Sequence, residues 1–203
     1  ADTAAEMRRL QQEGKILAAG VSNFGPQDLE SWMAAGAAVS NQVGYNLLFR
    51  APEYEILPAC RRYDLSLLAY MPLLQGILTG RWTTVEEIPP ARRRIRHFAA
   101  TREGTRHGEP GCESELFAAL RGIRAVADRL GCPMADVAIG WLLARPEVTA
   151  VLVGARDPDQ VRRNARAAAL VLDAETVAEL DAVTAPVKEA LGPNADMWDG
   201  AAN

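Results

Sequence analysis

The residues Ala150-Val151-Leu152-Val153-Gly154-Ala155-Arg156-Asp157-Pro158-Asp159-Gln160 combine types and spacing suited to holding a phosphate. The apolar run is short, β-branched and ends at a glycine, which reads as a buried parallel strand. Asp157 then reads as a helix N-cap, Pro158 as the first helical residue and Gln160 as its capping-box partner. A helix start behind a strand end presents backbone N–H groups and a positive dipole end, and Arg156 adds a fork-shaped positive charge. The same residues are equally those of an ordinary capped helix with a solvent-facing Arg.

A second group lies after three earlier apolar runs: Ser22 and Asn23; Asn41, Gln42, Tyr45 and Asn46; Tyr70, Met71, Pro72, Leu73, Gln75 and Gly76. Asn and Gln offer both donor and acceptor to a carboxamide, and a Tyr face can stack on a flat heterocycle. Taken singly, Asn23 could cap a helix and Tyr70 could be core. The set holds no carboxylate pair for acid–base work and no metal cluster.

The elements that must position these residues alternate. Strands are expected at Ile16–Val21, Ala38–Gly44, Leu65–Met71 and Ala150–Ala155. Helices are expected at Thr3–Gln12, Pro26–Ala35, Glu53–Tyr63, Glu113–Leu130, Met134–Ala144, Pro158–Ala169 and Ala174–Val183. The order α-β-α-β-α-β-α-α-β-α-α implies a parallel sheet with right-handed crossovers. No GxGxxG follows a strand and there is no phosphate-loop motif, so a barrel is the better reading. Eight strands close such a barrel and four are expected here, which leaves open edges. The segment 81–113 carries Arg92, Arg93, Arg94, Arg96, His97, Arg102, Arg106 and His107. It reads either as a cover over an anionic ligand or as a mobile solvated loop.

The 203 residues carry a net charge of −4, which gives no reason to expect nucleic acid. Of the 22 basic residues only Lys15 and Lys188 are lysines. Cys60, Cys112 and Cys132 fit no metal or disulfide framework, and a reducing, cytoplasmic setting is expected. No run is long enough for a membrane span, and no signal peptide is visible.

Gly20-Val21-Ser22-Asn23-Phe24, Asn41-Gln42-Val43-Gly44-Tyr45-Asn46, the run Leu68–Arg81, and Gly154-Ala155-Arg156 with Gln160 and Asn164 resemble the aldo-keto reductases, from about Thr3 to Trp198. The resemblance implies a parallel α/β fold of the (β/α)8 TIM-barrel type, of which this chain supplies the second half. It also implies NADP(H), ahead of NAD(H), as cofactor and a small carbonyl compound as substrate. By resemblance Ser22, Asn23 and Gln42 bind the nicotinamide carboxamide and Tyr70 stacks on its ring. Leu73, Gln75 and Gly76 lie along the pyrophosphate. Gly154, Arg156, Gln160 and Asn164 hold the adenosine end. The tail at 185–203 resembles that of a bacterial branch, where tails help shape the substrate pocket.

The family's Asp, Tyr, Lys and His tetrad belongs to the first four strands, and no catalytic residue is assigned here. Lys15 precedes its strand, Lys188 follows the last expected helix, and Tyr45, Tyr54 and Tyr63 show no Lys or His partner. The chain does not start with Met, so a preceding half is expected. The alternative is a non-catalytic nucleotide-binding half-barrel, self-associating through its open edges.

Overall fold

Four parallel strands stand side by side in chain order: β1 (Val21–Ser22), β2 (Ser40–Gly44), β3 (Ser66–Tyr70) and β4 (Val148–Leu152). The computed structural model describes residues 2–199. The helices are α1 (Asp2–Gln12), α2 (Pro26–Ala35), α3 (Ile56–Arg62), α4 (Glu113–Leu130), α5 (Met134–Leu143), α6 (Pro158–Ala167) and α7 (Ala174–Leu191). Among the described residues the strand and α-helix order is the one expected from sequence. No described helix is long and apolar enough to cross a membrane.

The register explains why one face is core and the other is not. Asn41, Val43, Leu67 and Ala69 are buried beneath the helices. The alternate residues form two rows on the opposite face, Ser22–Gln42–Leu68–Ala150 and Gly44–Tyr70–Leu152. A period of two forces this split. The helix side is filled by α4 and α5, whose Leu116, Ile123, Val126, Val137, Trp141 and Leu142 are fully buried. The all-round apolar character expected of α5 fits that position.

Four strand and helix expectations need correction. The first strand is Val21–Ser22, not Ile16–Val21, because Leu17 stays 95% exposed and only the β2 side offers pairing partners. The last strand is Val148–Leu152, not Ala150–Ala155, and it is not buried. It pairs with β3 alone, leaving Thr149, Ala150 and Leu152 exposed. The third helix starts at Ile56, after a separate 3-10 turn at Ala51–Glu53.

The final helix runs to Leu191 rather than Val183, straight through Pro186. Proline removes a backbone donor and crowds the preceding turn. Arg50 serves that turn from outside, donating from Nη1 to the Asp181 carbonyl at 2.9 Å and to Thr184 Oγ1 at 3.0 Å. Lys188 therefore lies inside α7. Its Nζ meets Glu53 Oε2 at 2.8 Å and sits 4.8 Å from the Tyr54 ring, so Tyr54 does have a Lys neighbour.

Segment 81–113 is irregular but packed, not a solvated loop. Val85, Ile88, Ile95, Arg96, His97, Phe98 and His107 are buried. Arg102 pairs with Glu113 at 2.5 Å, and Arg96 with Glu109 at 2.9 Å. Of the expected tail at 185–203, residues 185–191 belong to α7, and 200–203 lie outside the described residues.

Candidate active site: two cavities at the strand ends

The carboxyl ends of β1, β2 and β3 are locked together. Tyr70 at the end of β3 pairs in register with Gly44 of β2. A Cβ built on Gly44 would stand 3.3 Å from Tyr70 Cζ and Oη, so the ring crosses the bare Cα. Its hydroxyl then donates to Asn23 Oδ1 at 2.9 Å. Burial pushes the Tyr70 phenol pKa up; the Asn23 bond opposes this, and the Asp196 carboxylate adds to the rise. Ser22 Oγ donates to the Gln42 carbonyl at 3.0 Å, and Asn23 N donates to the same oxygen at 2.9 Å.

The backbone here is strained. Asn23, Met71, Leu74 and Gln75 all have left-handed φ between 43° and 58°. Non-glycine residues in that region are uncommon and gather at functional loops. Arg92 Nη1 braces the strained turn by donating to the Gln75 carbonyl at 2.5 Å.

The larger cavity, about 750 Å³, lies between the loops after β3 and β4. It brings together Leu73, Gln75, Gly76, Gly154, Arg156, Gln160 and Asn164. Five arginines line it, Arg81, Arg92, Arg156, Arg163 and Arg166, against the single carboxylate of Asp136. Burial raises the Asp136 pKa, with Arg166 opposing. Such a wall is built for an anion. The loop at 154–156 is held from α6. Asp157 caps the helix, accepting from Gln160 N at 2.7 Å. The Gln160 side chain takes the Arg156 N–H at 2.8 Å, one residue before the cap. Asn164 donates to the Gly154 carbonyl at 3.3 Å.

The smaller cavity, about 280 Å³, is bounded by Asn23, Asp28, Gly44, Tyr70 and the tail residues Asn194–Trp198. Its lining holds two carboxylates, Asp28 and Asp196, and no Arg or Lys. Ser22 and Gln42 line neither cavity; the register places them on the open sheet face beside Tyr70.

Other polar strand-end residues point elsewhere. Asn41 is buried and donates to the Phe24 carbonyl at 2.9 Å. Asn46 donates to the Met71 carbonyl at 3.0 Å. Tyr45 is buried against Trp141, and its hydroxyl donates to Glu53 Oε1 at 2.9 Å. Glu53 also accepts both Arg50 donors, at 2.7 and 2.9 Å, as well as Lys188. Burial would raise the Glu53 pKa, but the bonds from Arg50 and Lys188 bring it down to about 2. Arg145 pairs with Asp181 and covers the Trp141 ring at 4.2 Å. His97 is buried, with Nε2 at 2.7 Å from the Leu48 carbonyl. Lys15 pairs with Glu13 at 2.8 Å. No Lys or His appears in the lining of either cavity.

Sequence reasoning missed Arg163, Arg166 and Asp136 as cavity residues, whereas Arg92 comes from the segment 81–113 that it offered as a cover over an anionic ligand and Arg81 from the run Leu68–Arg81. Helical spacing from Gln160 and Asn164 leads to Arg163 on the same face. Asp136 arrives through tertiary folding and carries no such local signal.

A parallel sheet in chain order, with its cavities at the carboxyl ends of the strands, is of the TIM-barrel type. A profile of the aldo/keto reductase family matches residues 1–185, and the chain belongs to that family. It is 30% identical over 167 residues to the NADH-specific methylglyoxal reductase of Escherichia coli K12, covering 82% of this chain and 48% of that protein. It is 30% identical over 190 residues to the L-glyceraldehyde 3-phosphate reductase of Escherichia coli O157:H7, covering 89% and 53%. The structure resembles a glycerol dehydrogenase from Gluconobacter oxydans, with TM-score 0.75, 28% identity, and coverage of 95% of this chain and 55% of that one. The chain spans about half the length of these relatives.

Proposed function

We propose that this chain is the cofactor-holding, C-terminal half of an NAD(P)H-dependent aldo-keto reductase barrel, contributing strands five to eight. One observation carries the reading. The sequence-expected residues Leu73, Gln75, Gly76, Gly154, Arg156, Gln160 and Asn164 meet around one arginine-walled cavity. The donor set fits a phosphorylated dinucleotide: permanent cations for phosphates, backbone beside Gly76 and Gly154, and a Tyr face with Asn23 at the far end.

In this reading Arg81, Arg92 and Arg156 neutralise phosphate charge, and α6 holds the loop that carries Arg156. Gln160 and Asn164 are already bonded to the 154–156 backbone, so their first task is to shape that loop. Tyr70 and Asn23 fix the plane in which a nicotinamide lies, with Ser22 and Gln42 on the adjoining row. When bound, the reduced nicotinamide would supply hydride to an aldehyde or ketone. The small, arginine-free cavity beside Tyr70 suits a small uncharged carbonyl compound. Five arginines favour NADP(H) over NAD(H), although one relative is named NADH-specific. Among the described residues no Lys or His lines either cavity to tune a proton donor, so in this reading the half proposed to precede this chain supplies that donor. The free thiols of Cys60, Cys112 and Cys132 support a reducing, cytoplasmic setting.

A second reading is favoured by the unpaired outer edges of β1 and β4 among the described residues. It is a nucleotide-binding module that self-associates through those edges and catalyses no reduction. Calorimetric titration with NADPH and NADH, followed by a carbonyl-reduction assay, separates the two. Binding with turnover supports the enzyme reading. Binding without turnover by a dimer supports the module. A folded chain that binds neither nucleotide contradicts both.

A further inference from the structure

The geometry points to Arg96 as the positioning residue that builds the smaller cavity, by holding the tail against Tyr70. This inference rests on the reading of that cavity as the substrate end of the site. Arg96 lies in the irregular segment between β3 and α4, far in sequence from the tail, and is only 3% exposed. Every nitrogen of its guanidinium is committed. Nη2 donates to the Leu191 carbonyl at 2.6 Å, and Nη1 to the carbonyls of Asn194 at 2.8 Å and Asp196 at 3.2 Å. Nε faces both oxygens of Glu109 at 2.9 Å, and the Arg96 backbone N–H donates to the Met197 carbonyl at 2.9 Å.

Those partners span the exit from α7 and the turn beyond it. Within the tail, Asn194 Oδ1 accepts from Asp196 N at 2.9 Å, and Asp196 Oδ1 accepts from Trp198 N at 2.8 Å. The tail is thus a folded unit fixed through Arg96 and the buried Met197. Its outward residues Asn194, Asp196 and Trp198 form the wall facing Tyr70, Asn23 and Asp28. A planar fork is needed to reach three carbonyls while bound to a carboxylate; a lysine ammonium cannot reproduce that pattern.

Two consequences follow from the placement. Tail order depends on Arg96 and Glu109, not on the arginines of the larger cavity. Among the described residues the cavity lining presents Asp28 and Asp196 with no Arg or Lys, so it takes a neutral carbonyl compound ahead of an anionic one of the same shape.

The test compares the unaltered chain with Arg96→Lys and Glu109→Gln, the second leaving the guanidinium in place should the first fail to fold. Three quantities are measured: amide hydrogen exchange across residues 192–199 and α4, the Kd for NADPH, and binding of 4-nitrobenzaldehyde against 4-carboxybenzaldehyde in the presence of NADPH. The unaltered chain should prefer the neutral aldehyde by about tenfold, the scale of one like-charge encounter. In either variant tail exchange should rise by about tenfold or more while α4 stays protected, and the aldehyde preference should fall below about twofold. NADPH affinity should stay within about threefold, since the larger cavity is untouched. Unchanged tail exchange in a folded variant, or no aldehyde preference in the unaltered chain, overturns the inference. Loss of exchange protection throughout α4 as well as the tail also overturns it, by making Arg96 a general structural residue. If the unaltered chain does not bind NADPH, the cofactor reading fails, and the tail exchange still decides the role of Arg96.

Discussion

The Tyr70 hydroxyl donates to Asn23 Oδ1 at 2.9 Å, although their strands are not neighbours. β2 lies between them, and the bond exists because Gly44 offers no side chain at the crossing point. Three strand ends are thereby tied by one aromatic ring. The tie fixes that ring on the open face of the sheet, between the arginine-walled cavity and the tail.

Gly44 should consequently tolerate little. An added Cβ at 3.3 Å demands a shift of a few tenths of an ångström, and a branched side chain demands more. Gly44→Ala should cost less than about 1 kcal/mol, and Gly44→Val about 1–3 kcal/mol by overpacking. Urea unfolding gives the stability change. NADPH titration should show Gly44→Val matching Tyr70→Ala, because both remove the ring from its place.

Arg156 should discriminate between the two dinucleotides. It lines the larger cavity at the end of a loop braced by Gln160 and Asn164. Losing one charge-assisted bond costs about 1.5–3 kcal/mol. Arg156→Ala should therefore raise the Kd for NADPH by about 10- to 100-fold and that for NADH by less than about threefold. Calorimetry on the purified variant checks the ratio.

Glu53 should matter for stability and not for binding. It accepts from Tyr45, Arg50 and Lys188 and is in the lining of neither cavity. Glu53→Ala leaves the buried Arg50 only its longer ion pair with Asp181 at 3.4 Å, so it should cost about 3 kcal/mol in urea unfolding. Lys188→Met removes a more exposed partner and should cost less than about 1 kcal/mol.

Acid should destabilise the fold in two steps. Burial lowers the His97 pKa from 6.5 to about 4, with the Leu48 bond opposing and Arg96 and His107 adding to the drop. The unfolded chain then binds the extra proton between those values. Stability is complete above pH 6.5 and falls as pH drops towards 4, by about 3 kcal/mol in all. Glu53 is depressed to about 2, so its contribution is present above its ordinary 4.5 and is lost as pH falls towards 2. His97→Phe should flatten the upper step and leave the lower one, as measured by urea midpoints across pH 3–8.

Most of the architecture was legible because helix caps and apolar runs are local signals. Asp157-Pro158 marked the start of α6, and α4 has the expected bounds Glu113–Leu130. What failed depended on neighbours. The last apolar run was expected to be buried, yet it pairs on one side only and stays open. Helix α7 was expected to end at Val183 but runs on through Pro186, where Arg50, more than 130 residues away in sequence, supports the disturbed turn. The site divided in the same way. The cavity residues Leu73, Gln75, Gly76, Gly154, Arg156, Gln160 and Asn164 were named through the family resemblance. Asp136 and the tail clamp on Arg96 were not, because tertiary packing alone brings them there.

The most direct test of the cofactor reading is a fluorescence titration with NADPH of the unaltered chain, Tyr70→Ala and Arg156→Ala. If the two ends of one dinucleotide lie at Tyr70 and Arg156, the unaltered chain binds one equivalent. Each variant then loses about tenfold or more in affinity while remaining folded. A folded chain that binds no NADPH, or two folded variants that bind it as tightly as the unaltered chain, would contradict the account.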